Sequence, residues 1–403
     1  MPVEPSVVAL VREAVAADEA LLVEMRRDLH AHPELSGEEK ATTRWIHQHL
    51  RDLGLAPVRL EVGTGVVCDV VLGSGVGPVV AVRADIDALA MNDDKDVGYR
   101  SQTDGVAHAC GHDVHTTVVL GVARVLARAA DRLGVDGTVR LVFEPAEESV
   151  PGGAVAVLSE GFFDDVDAVF GVHCDPKVDV GRVGLRVGPI SSAADMIEVR
   201  VSGPGGHTSR PERTVDLVAV LARVVGGMQD EIDRLTGEPA AVRCVFGSVH
   251  AGDAANVIPS SGMLRGTIRT PDHDVWRELP KHVEDALATL LGGTGVTWTT
   301  EHRRGVPPVV NDEGATAIVA NAVRTALGDA AAVEVEQSWG GDSFAWYLEK
   351  VPGSYARLGV HDPASGRPRL DLHAGTFDVD ERAIGHGALV LALAALQALT
   401  DLS

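Results

Sequence analysis

The sequence predicts an α/β protein in which a mostly parallel sheet with flanking helices is interrupted by a smaller α+β domain. Three observations carry this. Apolar runs at Pro78–Ala84, Gly137–Phe143 and Val166–Val172 read as buried strands. Residues 196–302 then read strand, helix, strand, strand, helix, strand, the order of a ferredoxin-like split βαβ unit. Strand character resumes at Ser354–Val360, and an apolar helix is expected over Val379–Thr400. The first domain is therefore discontinuous, with expected limits 1–187 and 303–403 around an insert at 188–302.

In chain order, residues 5–30 and 38–53 read as amphipathic helices, with Ser36 or Gly37 available to cap the second. His30 and His32 between them could ligate a metal, but Pro33 and Gly37 make a cap-and-turn role sufficient. The stretch His108–His115 packs three histidines, Cys110 and Asp113 into eight residues. In an extended backbone alternate side chains share a face, so His108, Cys110 and His112 are expected to point one way. Gly111 lets the chain bend. An apolar stripe over Thr116–Ala130 predicts a buried helix, with Asp113 as its N-cap. In the insert, strands are expected at Met196–Ser202, Ala240–His250, Gly262–Thr270 and Val296–His302. Helices are expected at Val215–Leu235 and Val275–Leu291, and after the insert at Thr316–Leu327.

Composition narrows the function classes. The net charge is −23 with no basic stretch, which argues against nucleic acid or an anionic membrane as partner. The first residues lack the basic start and apolar core of a signal peptide, and no uninterrupted apolar run is long enough to span a bilayer. Cys68, Cys110, Cys174 and Cys244 are scattered, with no disulfide framework. A cytoplasmic protein is expected.

The predicted strands share a feature. They discharge Asp85-Ile-Asp87, Glu144-Pro-Ala-Glu147-Glu148 and His173-Cys174-Asp175 at their carboxyl ends. In open α/β sheets ligands bind outside those ends. The Cys110/His112 turn precedes a helix of the same sheet, so these groups can converge, with His373 added from the C-terminal part. Thiolate, imidazole and carboxylate together suit a borderline divalent ion such as Zn, Mn, Co or Ni. Five protein ligands exceed what one catalytic zinc takes, which favours two ions. Glu147 and Glu148 diverge in extended chain, so one can bind metal while the other accepts a proton. Asp87 is placed to accept the second N–H of a ligating histidine.

Motifs along nearly the whole chain add a resemblance. They are Arg27-Asp-Leu-His-Ala-His-Pro-Glu-Leu-Ser, Arg83-Ala-Asp-Ile-Asp-Ala-Leu, His108-Ala-Cys-Gly-His-Asp, Phe143-Glu-Pro-Ala-Glu-Glu, Gly171-Val-His-Cys-Asp-Pro, Gly205-Gly-His-Thr-Ser-Arg-Pro, Asn256-Val-Ile-Pro and Leu372-His-Ala-Gly-Thr-Phe. Together they resemble the di-metal aminoacylase/carboxypeptidase amidohydrolases, in the branch of hippurate hydrolases and plant auxin-conjugate hydrolases. The resemblance implies metal ligation by Cys110, His112, Glu148, His173 and His373, with Glu147 as general base and Asp87 as partner of a ligand. It implies that the insert is a lid and homodimerisation element. His207 would bind the reacting carbonyl, with Asn256 and Arg269 near the substrate carboxylate. The expected reaction is metal-dependent hydrolysis of a small N-acyl amino acid or a related conjugate. The rivals are exopeptidase action on a dipeptide and a non-catalytic binding relative. One departure stands out: where relatives carry Gly-Gly-Glu-Asp-Phe, this chain has Gly340-Gly341-Asp342-Ser343-Phe344.

Overall fold

The computed structural model describes residues 3–237 and 242–403. The chain forms two compact units. The first runs to Ile190 and adds Val310–Glu336 and Ser343–Ser403; the second is Ser191–Val309 with Gln337–Asp342. These limits differ from the expected 188–302 insert for a local reason. The last strand of the second unit, Thr297–Val306, continues past His302, and a later segment of chain returns to the same unit.

In the first unit the sheet has eight strands. Its centre is parallel: Gly137–Glu144, Val79–Asp85, Ala168–Asp179 and Gly353–His361 lie side by side. Val66–Leu72 and Val58–Arg59 extend one edge antiparallel, and Val183–Leu185 pairs antiparallel at the other. The central strands are buried almost throughout, as expected when helices cover a parallel sheet. The helices Pro5–Ala31, His112–Ala129, Glu313–Leu327 and Arg382–Leu402 pack with one another, and the last three also against the sheet. Among the described residues, Arg382–Leu402 is long and apolar enough, by length and composition, to cross a membrane, although His386 and Gln397 interrupt its apolar run. Here it is a core helix, buried without a break from Gly387 to Leu399.

Several local expectations are corrected. The helix after the histidine-rich stretch starts at His112 and is capped by Gly111, not by Asp113. Gly111 has φ +89°, and an added Cβ would lie 2.8 Å from Cys174 Sγ, so both conformation and space require glycine. Asp113 is instead a buried partner of Arg26 and His30, at 2.7 Å from each. The strand expected to end at Val172 runs on to Asp179, so His173 lies inside it. The second helix begins at Lys40 after Glu39, beyond Ser36 and Gly37.

The second unit is built on a four-stranded antiparallel sheet in the order Arg243–His250, Ser261–Thr270, Ala193–Ser202, Thr297–Val306. Helices Leu217–Thr236 and His273–Leu291 start on the side-chain caps of Asp216 and Asp272. Along Ala193–Ser202 alternate residues are buried, from Ala193 to Val201, which leaves Met196, Arg200 and Ser202 on the open face. The chain order is β-α-β-β-α-β, as predicted. The expected start of one strand at Ala240 lies outside the described residues; the strand is described from Arg243.

Candidate metal centre

The carboxyl ends of the parallel strands bring a set of donor atoms together in the first unit. His112 opens its helix with Nδ1 2.9 Å from the Asp87 carbonyl and 3.2 Å from Asp87 Oδ1. Both neighbours are acceptors, so Nδ1–H donates and Nε2 is left to face the other groups. That Nε2 is buried with no hydrogen-bond partner among the described residues. It lies 3.7 Å from Asp85 Oδ2 and 3.8 Å from Glu148 Oε1. His173 is arranged in the same way. Nδ1 donates to the Cys174 carbonyl at 2.7 Å, which leaves Nε2 3.5 Å from Cys110 Sγ. His373 Nε2 lies 3.3 Å from Cys110 Sγ and 3.3 Å from Glu148 Oε1.

Two compact donor sets result, Cys110–His112–His173 and Cys110–Glu148–His373, with Cys110 common to both; His112 also groups with Glu147 and Glu148. The grouping of Asp85, His112 and His115 is different in kind. His115 Nδ1 donates to Asp85 Oδ1 at 2.6 Å, and Nε2 accepts the Cys174 amide at 2.8 Å. Neither nitrogen is left for an ion, so His115 is a support.

The electrostatics fit a cation. Burial opposes a charged His112 ring, yet Asp85 and Cys110 hold it well above the ordinary histidine range. Positive charge is thus favoured at Nε2, and a metal ion held there would supply it in place of the proton. Burial keeps His173 well below that range, in the neutral form that coordinates metal. Burial also pushes the Cys110 thiol up, so its thiolate is stable only beside positive charge. Against burial, His373 and His112 hold Glu148 down as a carboxylate. An imidazole nitrogen without a partner, a buried thiol and a half-buried carboxylate with a buried oxygen are what a borderline divalent ion would satisfy.

Glu147 and Glu148 follow a turn where Ala146 has φ +53°, and their side chains take different partners. Glu148 N–H donates to Asp87 Oδ2 at 3.0 Å and its carboxylate faces the donor set. Glu147 Oε1 accepts the backbone N–H of Ser343 at 3.1 Å. Asp87 also accepts from Ser36 Oγ at 2.6 Å. His373 sits at φ +58°. Its amide donates to the Ala109 carbonyl at 2.8 Å, which holds this left-handed residue beside the Cys110 turn.

Several contributors escape sequence reasoning. Arg83 lies buried between Glu144 (Nε to Oε2, 2.7 Å) and Asp85 (Nη1 to Oδ2, 2.7 Å). Burial opposes ionisation of Asp85, but His112, His115 and Arg83 hold it well below the usual carboxylate range. His30 bonds to Asp113 and, at 3.2 Å, to Asp93, so it anchors the helix behind the site, while His32 is exposed. His108 does not join the donor sets. Burial pushes its ring down to about 4, and neither nitrogen has a partner among the described residues.

In the second unit, Gly206–His207 pairs with Val257–Ile258, which sets His207 beside Asn256; the Thr208 amide donates to the Asn256 carbonyl at 3.2 Å. His207 Nδ1 accepts the Ser209 amide at 3.1 Å, so the neutral ring carries its proton on Nε2. Arg269 is half-buried and donates to the Trp339 carbonyl at 2.7 Å; no carboxylate pairs with it among the described residues. Arg243 stacks 3.7 Å from the Trp339 ring centroid.

Comparison with known proteins places this geometry. The profile of Peptidase family M20/M25/M40 matches residues 81–397. The chain is 34% identical to the N-acetyl-L-cysteine deacetylase of Bacillus subtilis (strain 168), over 91% of this chain and 85% of that one. It is 46% identical, over 97% of its length, to a Rhodococcus jostii (strain RHA1) protein carrying the name putative glutamate–cysteine ligase 2-3. It spans 48% of that relative, about half its length. Among solved structures, the YXEP protein of Bacillus subtilis, described as a dinuclear metal binding peptidase from M20 family, superposes with a TM-score of 0.83 at 32% identity, covering 96% of this chain and 99% of that one.

Proposed function

The chain belongs to peptidase family M20/M25/M40, and from that premise we propose that it is a metal-dependent amidohydrolase. It cleaves the amide bond of an N-acyl amino acid or a related conjugate, releasing a carboxylic acid and a free amino acid. The observation that carries this reading is the meeting of Cys110, His112, Glu148, His173 and His373 beside Glu147. The first five would hold two divalent ions, of the Zn, Mn, Co or Ni class, with Asp87 orienting His112. When bound, such ions polarise a carbonyl and make water more acidic.

The chain's own residues do the rest. Glu147 takes a proton from the attacking water and returns it to the leaving nitrogen, so the proton count balances at one carboxylate. The Nε2–H of His207 donates to the carbonyl oxygen as negative charge develops there. Arg269, which has no acidic partner among the described residues, and Asn256 bind the substrate carboxylate. The second unit acts as lid and homodimerisation element, and the protein works in the cytoplasm.

The test is a comparison of N-acetyl amino acids with free dipeptides of the same C-terminal residue, read as free amino acid released. N-acetyl substrates are expected to turn over with the higher kcat/KM. A preference for dipeptides would make the enzyme an exopeptidase, and no release from either would leave a binding protein.

A further inference from the structure

Ser343 is fully buried in the first unit, and its two polar groups face different partners. The backbone N–H donates to Glu147 Oε1 at 3.1 Å. The hydroxyl donates to Glu144 Oε1 and accepts from Arg83 Nη2 at 3.0 Å. Glu144 is further held by the Ala154 amide at 2.7 Å and Tyr347 Oη at 3.0 Å. Arg83 continues to Asp85, and Asp85 to His115.

We propose that Ser343 is a positioning residue that fixes the orientation of Glu147, with its hydroxyl locking the amide that holds the carboxylate. The inference rests on the reading of Glu147 as the general base. One guanidinium already stands between two buried carboxylates, Asp85 and Glu144. A third carboxylate at position 343 would add negative charge where burial makes it most costly. A serine joins the same frame without that charge. The frame is packed against Gly152, where an added Cβ would lie 2.4 Å from Ser343 Cβ, so position 152 must remain glycine. Glu147 is thereby held by a rigid buried frame rather than by a surface loop, as catalytic geometry demands.

The test is Ser343→Ala in the metal-loaded enzyme, alone and combined with Glu147→Gln. Alone it is expected to lower kcat roughly ten- to a hundred-fold through misplacement of the base, with KM and metal content unchanged. Combined with Glu147→Gln it is expected to cost nothing further, because both act through one carboxylate. Ser343→Cys keeps a weak donor beside Gly152 and is expected to recover part of the loss; it also carries the double-variant comparison if the alanine variant does not fold. Wild-type kcat in Ser343→Ala, losses that multiply in the double variant, or reduced metal content would each overturn the positioning role. A Glu147→Gln enzyme with wild-type turnover would instead overturn the reading beneath it.

Discussion

Glu147→Gln is expected to lower kcat on the order of 10²–10⁴-fold, the usual size of a general acid–base contribution, while leaving metal content intact. Glutamine keeps an oxygen that can accept the Ser343 amide, so the side chain can stay in place. It cannot take a proton from water, and that alone is removed. Glu148→Ala is the matching control. Its carboxylate lies among Cys110, His112 and His373, so its loss should lower metal occupancy. Measuring kcat and bound metal for both variants separates base from ligand. Near-normal turnover in Glu147→Gln would assign the base elsewhere.

His207→Ala is expected to cut kcat by about 10²–10³-fold, the size of one donor to a developing oxyanion. KM should change much less, because that charge is fully formed only in the transition state. The Ser209 amide on Nδ1 leaves Nε2–H as the donor, so His207→Gln should recover part of the rate where alanine does not. Mixing His207→Ala with Glu147→Gln subunits tests whether the histidine serves a neighbouring copy. Partial recovery of activity is expected in heterodimers; none, despite proven subunit exchange, would confine it to its own chain. Wild-type kcat in His207→Ala would remove this residue from the chemistry.

Much of this architecture is legible in the sequence because it is written in local patterns. The apolar runs that end on Asp85, Glu144 and the His173 region define the parallel centre, and the topology rule then points to their carboxyl ends. The bond between His112 and Asp87 follows from the need of a coordinating imidazole for a partner on its other nitrogen. The misreadings have long-range causes. Asp113 has the residue type of an N-cap, but Arg26, 87 residues earlier in the chain, binds its carboxylate, and Gly111 takes the cap position. The strand that carries His173 continues through Pro176 to Asp179, past where its apolar run stops, because it pairs in parallel with Gly353–His361. The frame of Arg83, Glu144 and Ser343 joins residues up to 260 positions apart, which no local spacing reveals. Asp342-Ser343 stands out in the sequence where the resemblance leads one to expect Glu-Asp, and only the fold shows which carboxylates the serine touches.

The most direct test of the central claim is metal content measured beside hydrolysis of an N-acyl amino acid, before and after chelation. Two equivalents of divalent metal per chain are expected, with loss of activity when both are removed and recovery on adding back Zn, Mn, Co or Ni. Full turnover by rigorously metal-free protein would contradict the claim.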